Sequence, residues 1–147
     1  MSETAASGPS AHWEHFPHGA DIGVRGIAPT IEGAFEQAAL ALSAIITDPD
    51  SLHAESRIDI TCSEPDLELL LVDWLNSLIY EMATRSIVFG RFAVRIEGST
   101  LEATAWGEPM DMDAHELSSE PKGATYTALS VRHTAENSWV AECVVDV

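Results

Sequence analysis

The sequence predicts a single α+β domain in which two long helices pack on a mostly antiparallel sheet. Two segments carry apolar residues at steps of three and four, which is typical of helices with one buried face. About six or seven other segments alternate apolar and polar residues, as half-buried strands do. Helices laid on such strands indicate the α+β class. A chain of 147 residues, 46% of them hydrophobic, suits one domain with a core of its own.

The chain is predicted to begin with a tail and to enter its first strand near Asp21. Residues 1–11 contain no apolar run and are expected to be disordered, so that the folded domain spans residues 12–147. The segment HWEHFPH that follows the tail is predicted to be an ordered lead-in with some of its rings packed. In DIGVRGIA, Ile22 and Val24 face one side, which predicts the first strand.

Two helices are predicted from their caps and apolar faces. The first opens at Pro29-Thr30, with Thr30 as its N-cap, and stops near Asp48-Pro49. The second opens at Ser63-Glu64-Pro65-Asp66, with Ser63 as its N-cap and acidic residues in its first turn. The apolar face of the first helix comprises Ile31, Ala34, Phe35, Ala38, Leu42, Ile45 and Ile46. That of the second comprises Leu67, Leu70, Leu71, Trp74, Leu75, Leu78, Ile79 and Met82.

The remaining strands are predicted from alternation and turn residues. SRIDITC is one strand, and a strand from Ile87 forms a hairpin with LEATAW across the turn at 97–100. Residues 107–121 form a long polar segment with five acidic residues and His115, and long loops of this kind tend to be functional. ATYTALSV is predicted to be a strand, residues 135–138 a turn, and WVAECVVDV the last strand.

Acidic residues greatly outnumber basic ones. Seven Lys and Arg against 24 Asp and Glu give a formal net charge of -17. Such a chain repels phosphate backbones, so tight direct binding of nucleic acid is not expected. A metal ion or a basic patch on another protein is the kind of partner that this charge fits. On charge alone, a role in solubility is the simpler explanation.

No segment predicts secretion or membrane insertion. The first residues lack the basic run and the apolar stretch of a signal peptide. The longest apolar run, LELLLVDWLNSLIY, is interrupted by Asp73 and Asn76 and is too short to span a bilayer. Cys62 and Cys143 lie among apolar residues and are predicted to be buried free thiols. Together these features predict a cytoplasmic protein.

Three histidines near the start, His12, His15 and His18, raise the question of a zinc site. On a strand, steps of three alternate between faces, so the three rings cannot all reach one metal. Pro17 and Gly19 argue against a helix that would bring the rings together. The sequence has no matching ligand pair elsewhere, which disfavours zinc at this segment.

Carboxylates mark the first and the last predicted strand. Asp21 needs hydrogen-bond donors or a cation if it is half-buried, although an Asp at a strand start commonly bonds a nearby backbone N–H. Asp146 and the α-carboxylate of Val147 repel each other unless a cation or a basic side chain lies between them. If the two strands pair, the three groups form an all-oxygen cluster that suits Ca²⁺ or Mg²⁺.

Lys122 is the single lysine of the chain. It either anchors the carboxylate cluster or touches an acidic or phosphate group of a partner, or it is a loop lysine without a fixed role. The chain shows no phosphate-binding loop, nucleophile elbow, Cys-x-x-Cys motif or evident acid/base pair. No catalytic machinery is therefore predicted.

The chain resembles the archease family in six segments that follow one another in order: HGADIGVRG, TIEGAFEQAALAL, DLELLLVDWLNSLIYE, EATAWGEPMDMDAHEL, KGATYTALSV and WVAECVVDV. The resemblance covers residues 12–147, and the motifs are specific in combination. Two places depart from the family. Gly19 stands where the family usually has Thr, and Pro121 and Gly123 flank Lys122 where apolar or small residues are usual.

The resemblance implies a small α+β helper of the RtcB-type RNA ligase, which joins RNA ends in tRNA splicing and RNA repair. The helper promotes guanylylation and repeated turnover of the ligase and is not itself an enzyme. The resemblance also implies a metal site, usually assigned as calcium, on Asp21, Asp146 and Val147. Lys122 and His18 are then expected to support this cluster or to face the partner, and we expect a monomer.

Two other classes of function stay open from the sequence. A stand-alone metal-dependent hydrolase would use the same cluster and would turn over a small substrate without a partner. A chaperone-like interaction module would bind through an exposed apolar patch and would not depend on Asp21. Replacing Asp21 distinguishes the classes that use the cluster from the one that does not.

Overall fold

The computed structural model describes residues 11–111, 119–134 and 137–147, and these form an α+β domain as predicted. This part of the chain contains two long helices, α1 (Ile31–Ile46) and α2 (Leu67–Arg85). Its strands are β1 (His12–His18), β2 (Asp21–Ala28), β3 (Ser56–Ser63), β4 (Ile87–Glu97), β5 (Thr100–Pro109), β6 (Gly123–Ala124), β7 (Ser130–Thr134) and β8 (Ser138–Asp146). The predicted tail, apart from Ala11, lies outside the described residues, as do His115 and half of the turn predicted at 135–138.

A five-stranded antiparallel sheet unites the first and the last strands. β1 pairs with β2, β2 pairs with β8, and the other edge of β8 pairs with both β7 and β6. β8 therefore lies inside the sheet, and the side chains of Ala141, Cys143 and Val145 are fully buried. This position explains why the strand WVAECVVDV is so apolar.

A three-stranded antiparallel sheet, in the order β3-β5-β4, contains the predicted hairpin. The hairpin is confirmed with Thr100 opposite Glu97. β5 continues through Pro109, so the polar segment predicted from Gly107 begins three residues too early. Close packing requires Gly107, because a Cβ atom there would lie 1.9 Å from the carbonyl oxygen of Val88.

Helix α1 lies between the two sheets. It approaches β2 so closely that a Cβ atom on Gly26 would lie 2.1 Å from the carbonyl oxygen of Ala34. On the opposite side of the helix, Oε2 of Glu36 accepts a 2.8 Å hydrogen bond from the N–H of Val94 in β4. The predicted N-cap is confirmed, since Oγ1 of Thr30 accepts a hydrogen bond from the backbone N–H of Gly33.

Helix α2 completes the core with the apolar stripe predicted for it. Trp74 is fully buried, and its Nε1–H donates a 3.1 Å hydrogen bond to the carbonyl oxygen of Phe35 in α1. Its ring also meets that of Phe92 edge to face. Other large side chains that are fully buried in the described residues include Phe35, Phe89, Leu42, Leu70, Leu71, Leu75, Leu78, Leu101, Val24, Val88 and Val144.

The predicted start of α2 is wrong. The N-cap is Asp66, whose side chain accepts a 2.8 Å hydrogen bond from the N–H of Leu69, and not Ser63. A residue before proline avoids the helical region, so Glu64 cannot begin the helix ahead of Pro65. Ser63 instead ends β3, where its Oγ lies 3.1 Å from Oγ1 of Thr100.

The predicted lead-in HWEHFPH is itself a strand, β1, at the open edge of the five-stranded sheet. Most of its side chains are exposed, so the alternation that marks half-buried strands is absent. An edge strand also tolerates Pro17. Some rings are packed as expected: Phe16 is half-buried, with the guanidinium carbon of Arg25 4.6 Å from its ring centroid. Nε2 of the exposed His15 lies 2.7 Å from the carbonyl oxygen of Ala41.

The predicted strand ATYTALSV is wrong as one element, because its regular pairing with β8 is interrupted between β6 and β7. Thr125 donates to the carbonyl oxygen of Val144 both from its N–H, at 3.0 Å, and from its Oγ1, at 2.8 Å. The N–H of Val144 then donates to the carbonyl oxygen of Thr127. Ala128 follows with a left-handed φ of 53°, and pairing resumes at Ser130. The side chain of Thr125 thus diverts the strand into a turn.

Candidate functional site

The candidate site lies where β2 begins and β8 ends. Ile22 stands opposite Val145 in this antiparallel pair, so the next step places Asp21 opposite Asp146. The N–H of Val147 donates a 3.3 Å hydrogen bond to Oδ1 of Asp21. The strand pairing that the cluster hypothesis required is therefore present, and it brings these three residues together.

The other edge of β8 brings Lys122 to the same end of the sheet. Gly123 of β6 stands opposite Asp146, and the N–H of Lys122 donates a 2.8 Å hydrogen bond to the carbonyl oxygen of Asp146. The side chain of Lys122 is exposed, and within residues 11–111, 119–134 and 137–147 its ammonium forms no ion pair. The main chain of Lys122, rather than its charge, joins it to the cluster.

His18 reaches the cluster from the first hairpin. It stands opposite Asp21 across the tight turn at Gly19-Ala20, so the two side chains share one face of the sheet. His18 is exposed to solvent. Gly19 adopts a left-handed φ of 60°, which glycine accepts without strain. The departure from the usual Thr therefore suits this turn.

Asp21 and Asp146 lie at adjacent strand ends, and the described residues give neither of them a basic partner. Residues directly opposite in antiparallel strands have Cβ atoms about 5 Å apart. Asp21 is half-buried and Asp146 is exposed. Neither forms an ion pair with a Lys, Arg or His of the described chain. Two like charges at this distance repel each other, and a bound cation would turn that repulsion into attraction.

The chemistry of these donors fits a hard divalent cation. Carboxylate oxygens are the ligands that Ca²⁺ and Mg²⁺ prefer. The described residues hold no group of three His, Cys, Asp or Glu side chains arranged for a metal. A cation here would have the side-chain carboxylates of Asp21 and Asp146, with Val147 beside them. Calcium takes about six to eight oxygen ligands. Water or a partner's groups would have to fill the remaining positions.

Asn76 is a residue of this site that the sequence reasoning missed. It lies on α2, and its side-chain amide bonds both backbone groups of Ala124 in β6. Asn76 was treated only as an interruption of an apolar run. The available signal was a polar amide on a helix next to its buried face, beside Leu75.

The other residues considered from the sequence do not join the cluster. β1 separates the histidines, because His12 and His18 lie on one face and His15 on the other. Both cysteines are free and buried, as predicted. Burial raises the pKa of the Cys143 thiol to about 12, so it is protonated at neutral pH and is no nucleophile. No helix in the described part of the chain has the length and apolarity needed to cross a membrane.

Comparison with known proteins identifies one family. Residues 13–147 match the archease protein family (MTH1598/TM1083). The chain is 38% identical over 139 residues to protein archease of Pyrococcus furiosus. The alignment covers 92% of this chain and 98% of the relative. It is 36% identical over 140 residues to protein archease of Methanosarcina mazei, with 92% and 95% of the two chains covered.

Solved structures agree with the sequence matches. The solution structure of protein 1598 of Methanobacterium thermoautotrophicum superposes with a TM-score of 0.80 at 29% identity and covers 92% of this chain and 98% of its own. The crystal structure of a Thermotoga maritima archease, described as a possible chaperone, gives a TM-score of 0.57 at 16% identity and covers 99% of this chain and 100% of its own. The second likeness supports the fold alone.

Proposed function

The chain belongs to the archease family, and from this premise we propose that it is a non-catalytic activator of an RtcB-type RNA ligase. It acts in the cytoplasm, in tRNA splicing and RNA repair, by promoting guanylylation of the ligase and its multiple turnover. The observation that carries the proposal is the pairing of β2 with β8, which sets Asp21 opposite Asp146 beside Val147.

The proposed ligand of this cluster is a divalent cation, with calcium the first expectation and magnesium the second. Asp21 and Asp146 would hold it through their carboxylates, and Val147 through its α-carboxylate. The bound cation would supply a fixed positive charge and open coordination positions toward the partner. The N–H of Val147 already bonds Oδ1 of Asp21, which limits the orientations of the carboxylate before a cation binds.

The charge distribution supports a protein partner rather than RNA. With a net charge of -17, the chain repels phosphates, and it attracts a basic surface such as one that binds RNA or GTP in a ligase. Exposed Lys122 and His18 lie beside the acidic cluster and can meet acidic or phosphate groups of the partner complex. The cluster thereby helps to place the divalent metal or the GTP of the ligase for attack by the ligase's own nucleophile.

The test is multiple-turnover RNA ligation by an RtcB-type ligase with and without this protein, using Asp21→Asn. Asparagine keeps an oxygen that accepts the N–H of Val147 but removes the charge. We expect the variant to fold normally and to lose most of the stimulation. Asp50→Asn is the matched control, because it removes an exposed aspartate that caps no helix and lies outside the cluster.

The two rival functions make different predictions in the same experiment. A metal-dependent hydrolase would turn over a small substrate alone, and Asp21→Asn would abolish that turnover. A chaperone-like module would leave stimulation intact in Asp21→Asn. Extending the chain beyond Val147 converts its carboxylate to an amide, so only the two functions that use the cluster predict a loss. Full stimulation by both variants would refute the cluster as the working part.

A further inference from the structure

The strongest unexplained contact near the cluster joins α2 to the short strand β6. Nδ2 of Asn76 donates a 3.2 Å hydrogen bond to the carbonyl oxygen of Ala124, and the N–H of Ala124 donates a 2.8 Å hydrogen bond to Oδ1 of Asn76. One side-chain amide thus satisfies both backbone groups of one strand residue. Asn76 takes the place that a neighbouring strand would occupy on the outer edge of β6.

β6 is a very short strand with a partner on each of its two edges. It consists of two residues, and only Gly123 and Ala124 pair with β8, opposite Asp146 and Val145. The regular pairing ends directly afterwards, although Thr125 and Thr127 still form hydrogen bonds with Val144 of β8. A strand this short gains stability from both edges, and the Asn76 contact holds its outer edge while the bonds to β8 hold the inner one.

The position of β6 decides whether Lys122 lies beside the cluster. Lys122 precedes β6 directly, and its N–H reaches the carbonyl oxygen of Asp146 only while β6 lies against the end of β8. The ammonium of Lys122 has no ion pair among the described residues that would hold it there instead. Loss of the contact on the outer edge would leave only the bonds to β8 to hold this segment, so that its backbone would open more often.

We propose that Asn76 is a positioning residue for the acidic cluster, because it clamps β6 between α2 and β8 and so fixes Lys122 beside Asp146. The clamp is a structural claim that stands by itself, and its consequence for cation binding and ligase stimulation rests on the proposed function. Asn76 touches neither the cation nor the partner in this arrangement. It acts only through the backbone of Ala124.

The first test is backbone amide hydrogen exchange in Asn76→Ala. We expect the amides of Ala124 and Lys122 to exchange about tenfold faster or more, while the amide of Val24 in the centre of the sheet is unchanged. Ser77→Ala is the matched control on the same helix, since Oγ of Ser77 lies 3.5 Å from Sγ of Cys62 in β3, the hydrogen-bond partner that this substitution removes. It should leave both exchange rates as they are.

A second, milder variant keeps the test valid if Asn76→Ala fails to fold. Asn76→Asp keeps an oxygen for the N–H of Ala124 but loses the donor to its carbonyl oxygen. We expect Lys122 to exchange faster than in the unaltered protein while Ala124 stays partly protected. Unchanged protection of Lys122 in both Asn76 variants would overturn the clamp.

Calcium titration and RNA ligation then separate the clamp from the proposed function. If the unaltered protein binds calcium, Asn76→Ala should bind it about tenfold more weakly and stimulate ligation less, whereas Ser77→Ala should match the unaltered protein. If the unaltered protein binds no calcium but Lys122 still loses protection in Asn76→Ala, the clamp is upheld and the cation cluster fails. Calcium binding unaffected by Asn76→Ala would refute the positioning role.

Discussion

At the scale of single residues, Glu36 combines a structural bond with a burial cost. Its Oε2 accepts the N–H of Val94, a backbone donor on the edge of the three-stranded sheet. Burial raises the pKa of the Glu36 carboxyl; the hydrogen bond from Val94 lowers it by less, and the charge of Glu32 raises it further. The ionised form is therefore held at a cost that a neutral side chain of the same shape would avoid.

Glu36→Gln is expected to raise the free energy of unfolding near neutral pH. Glutamine keeps an acceptor for Val94 and carries no charge. Because the folded-state pKa lies above the ordinary value of 4.5, folding takes up a proton between the two values, and stability falls as pH rises through that window. The advantage of glutamine should be full above the raised pKa and should shrink as pH falls toward 4.5.

Urea unfolding at several pH values in this range measures the effect. Glu97→Gln provides the control, since Glu97 is exposed at the end of β4. It should show no comparable dependence on pH. A stability difference between Glu36→Gln and the unaltered protein that stays constant with pH would contradict the assigned cost.

At the scale of elements, the start of α2 depends on one side chain. Asp66 caps the helix through the N–H of Leu69, and its charge also suits the positive end of the helix dipole. Ser63, three residues earlier, belongs to β3. Substituting each of these residues in turn therefore tests which of them caps the helix.

Asp66→Ala is expected to lower the free energy of unfolding by about 1 kcal/mol, which is typical of a lost N-cap. Ser63→Ala removes only an exposed contact with Thr100 and should lower it by about 0.5 kcal/mol or less. Denaturant unfolding of the two variants measures both values. A larger loss in Ser63→Ala than in Asp66→Ala would restore the cap at Ser63.

The elements that the sequence predicted share one property, which is that their signal is local. Both helices and the hairpin at 97–100 carry their period, caps and turn residues within a few positions. β1 and β6 were missed because tertiary contacts define them. β1 is an exposed edge without alternation, and β6 exists through partners on β8 and α2.

In the candidate site, too, the local signal could be predicted from the sequence, and the contacts between distant residues could not. Chemistry singled out Asp21 and Asp146, because carboxylates at strand ends need compensation. Their adjacency depended on whether two distant strands pair, and the bond between Val147 and Asp21 joins residues 126 positions apart. Asn76 could not be found in this way, since the groups that it bonds among the described residues are the two backbone groups of Ala124, on a strand that the sequence did not define.

At the scale of the whole molecule, the net charge of -17 sets the response to salt. Repulsion among the acidic side chains opposes the compact state, and monovalent salt screens it with a Debye length of about 10 Å at 0.1 M. The unfolding midpoint should therefore rise with sodium chloride. This effect involves the whole surface and needs no particular residue.

Calcium should add a second and separable stabilisation through the proposed cluster. A ligand that binds only the folded state raises the free energy of unfolding by about 2.7 kcal/mol at a concentration of one hundred times its Kd. At constant ionic strength, we expect calcium to raise the unfolding temperature of the unaltered protein. The Asp21→Asn/Asp146→Asn variant should lose this increment while keeping its response to sodium chloride.

The matched control must remove two charges without touching the cluster. Asp50→Asn/Asp59→Asn does so at exposed positions, and the ion pair that it breaks between Asp59 and Arg57 is exposed and worth little. Its calcium increment should equal that of the unaltered protein, because both retain the cluster. An increment that falls equally in the two double variants would mean that calcium only screens the surface, and one that survives in both would place its site elsewhere. If only the Asp21→Asn/Asp146→Asn variant loses the calcium increment, calcium binds at a specific site formed by these residues and does not act over the acidic surface as a whole.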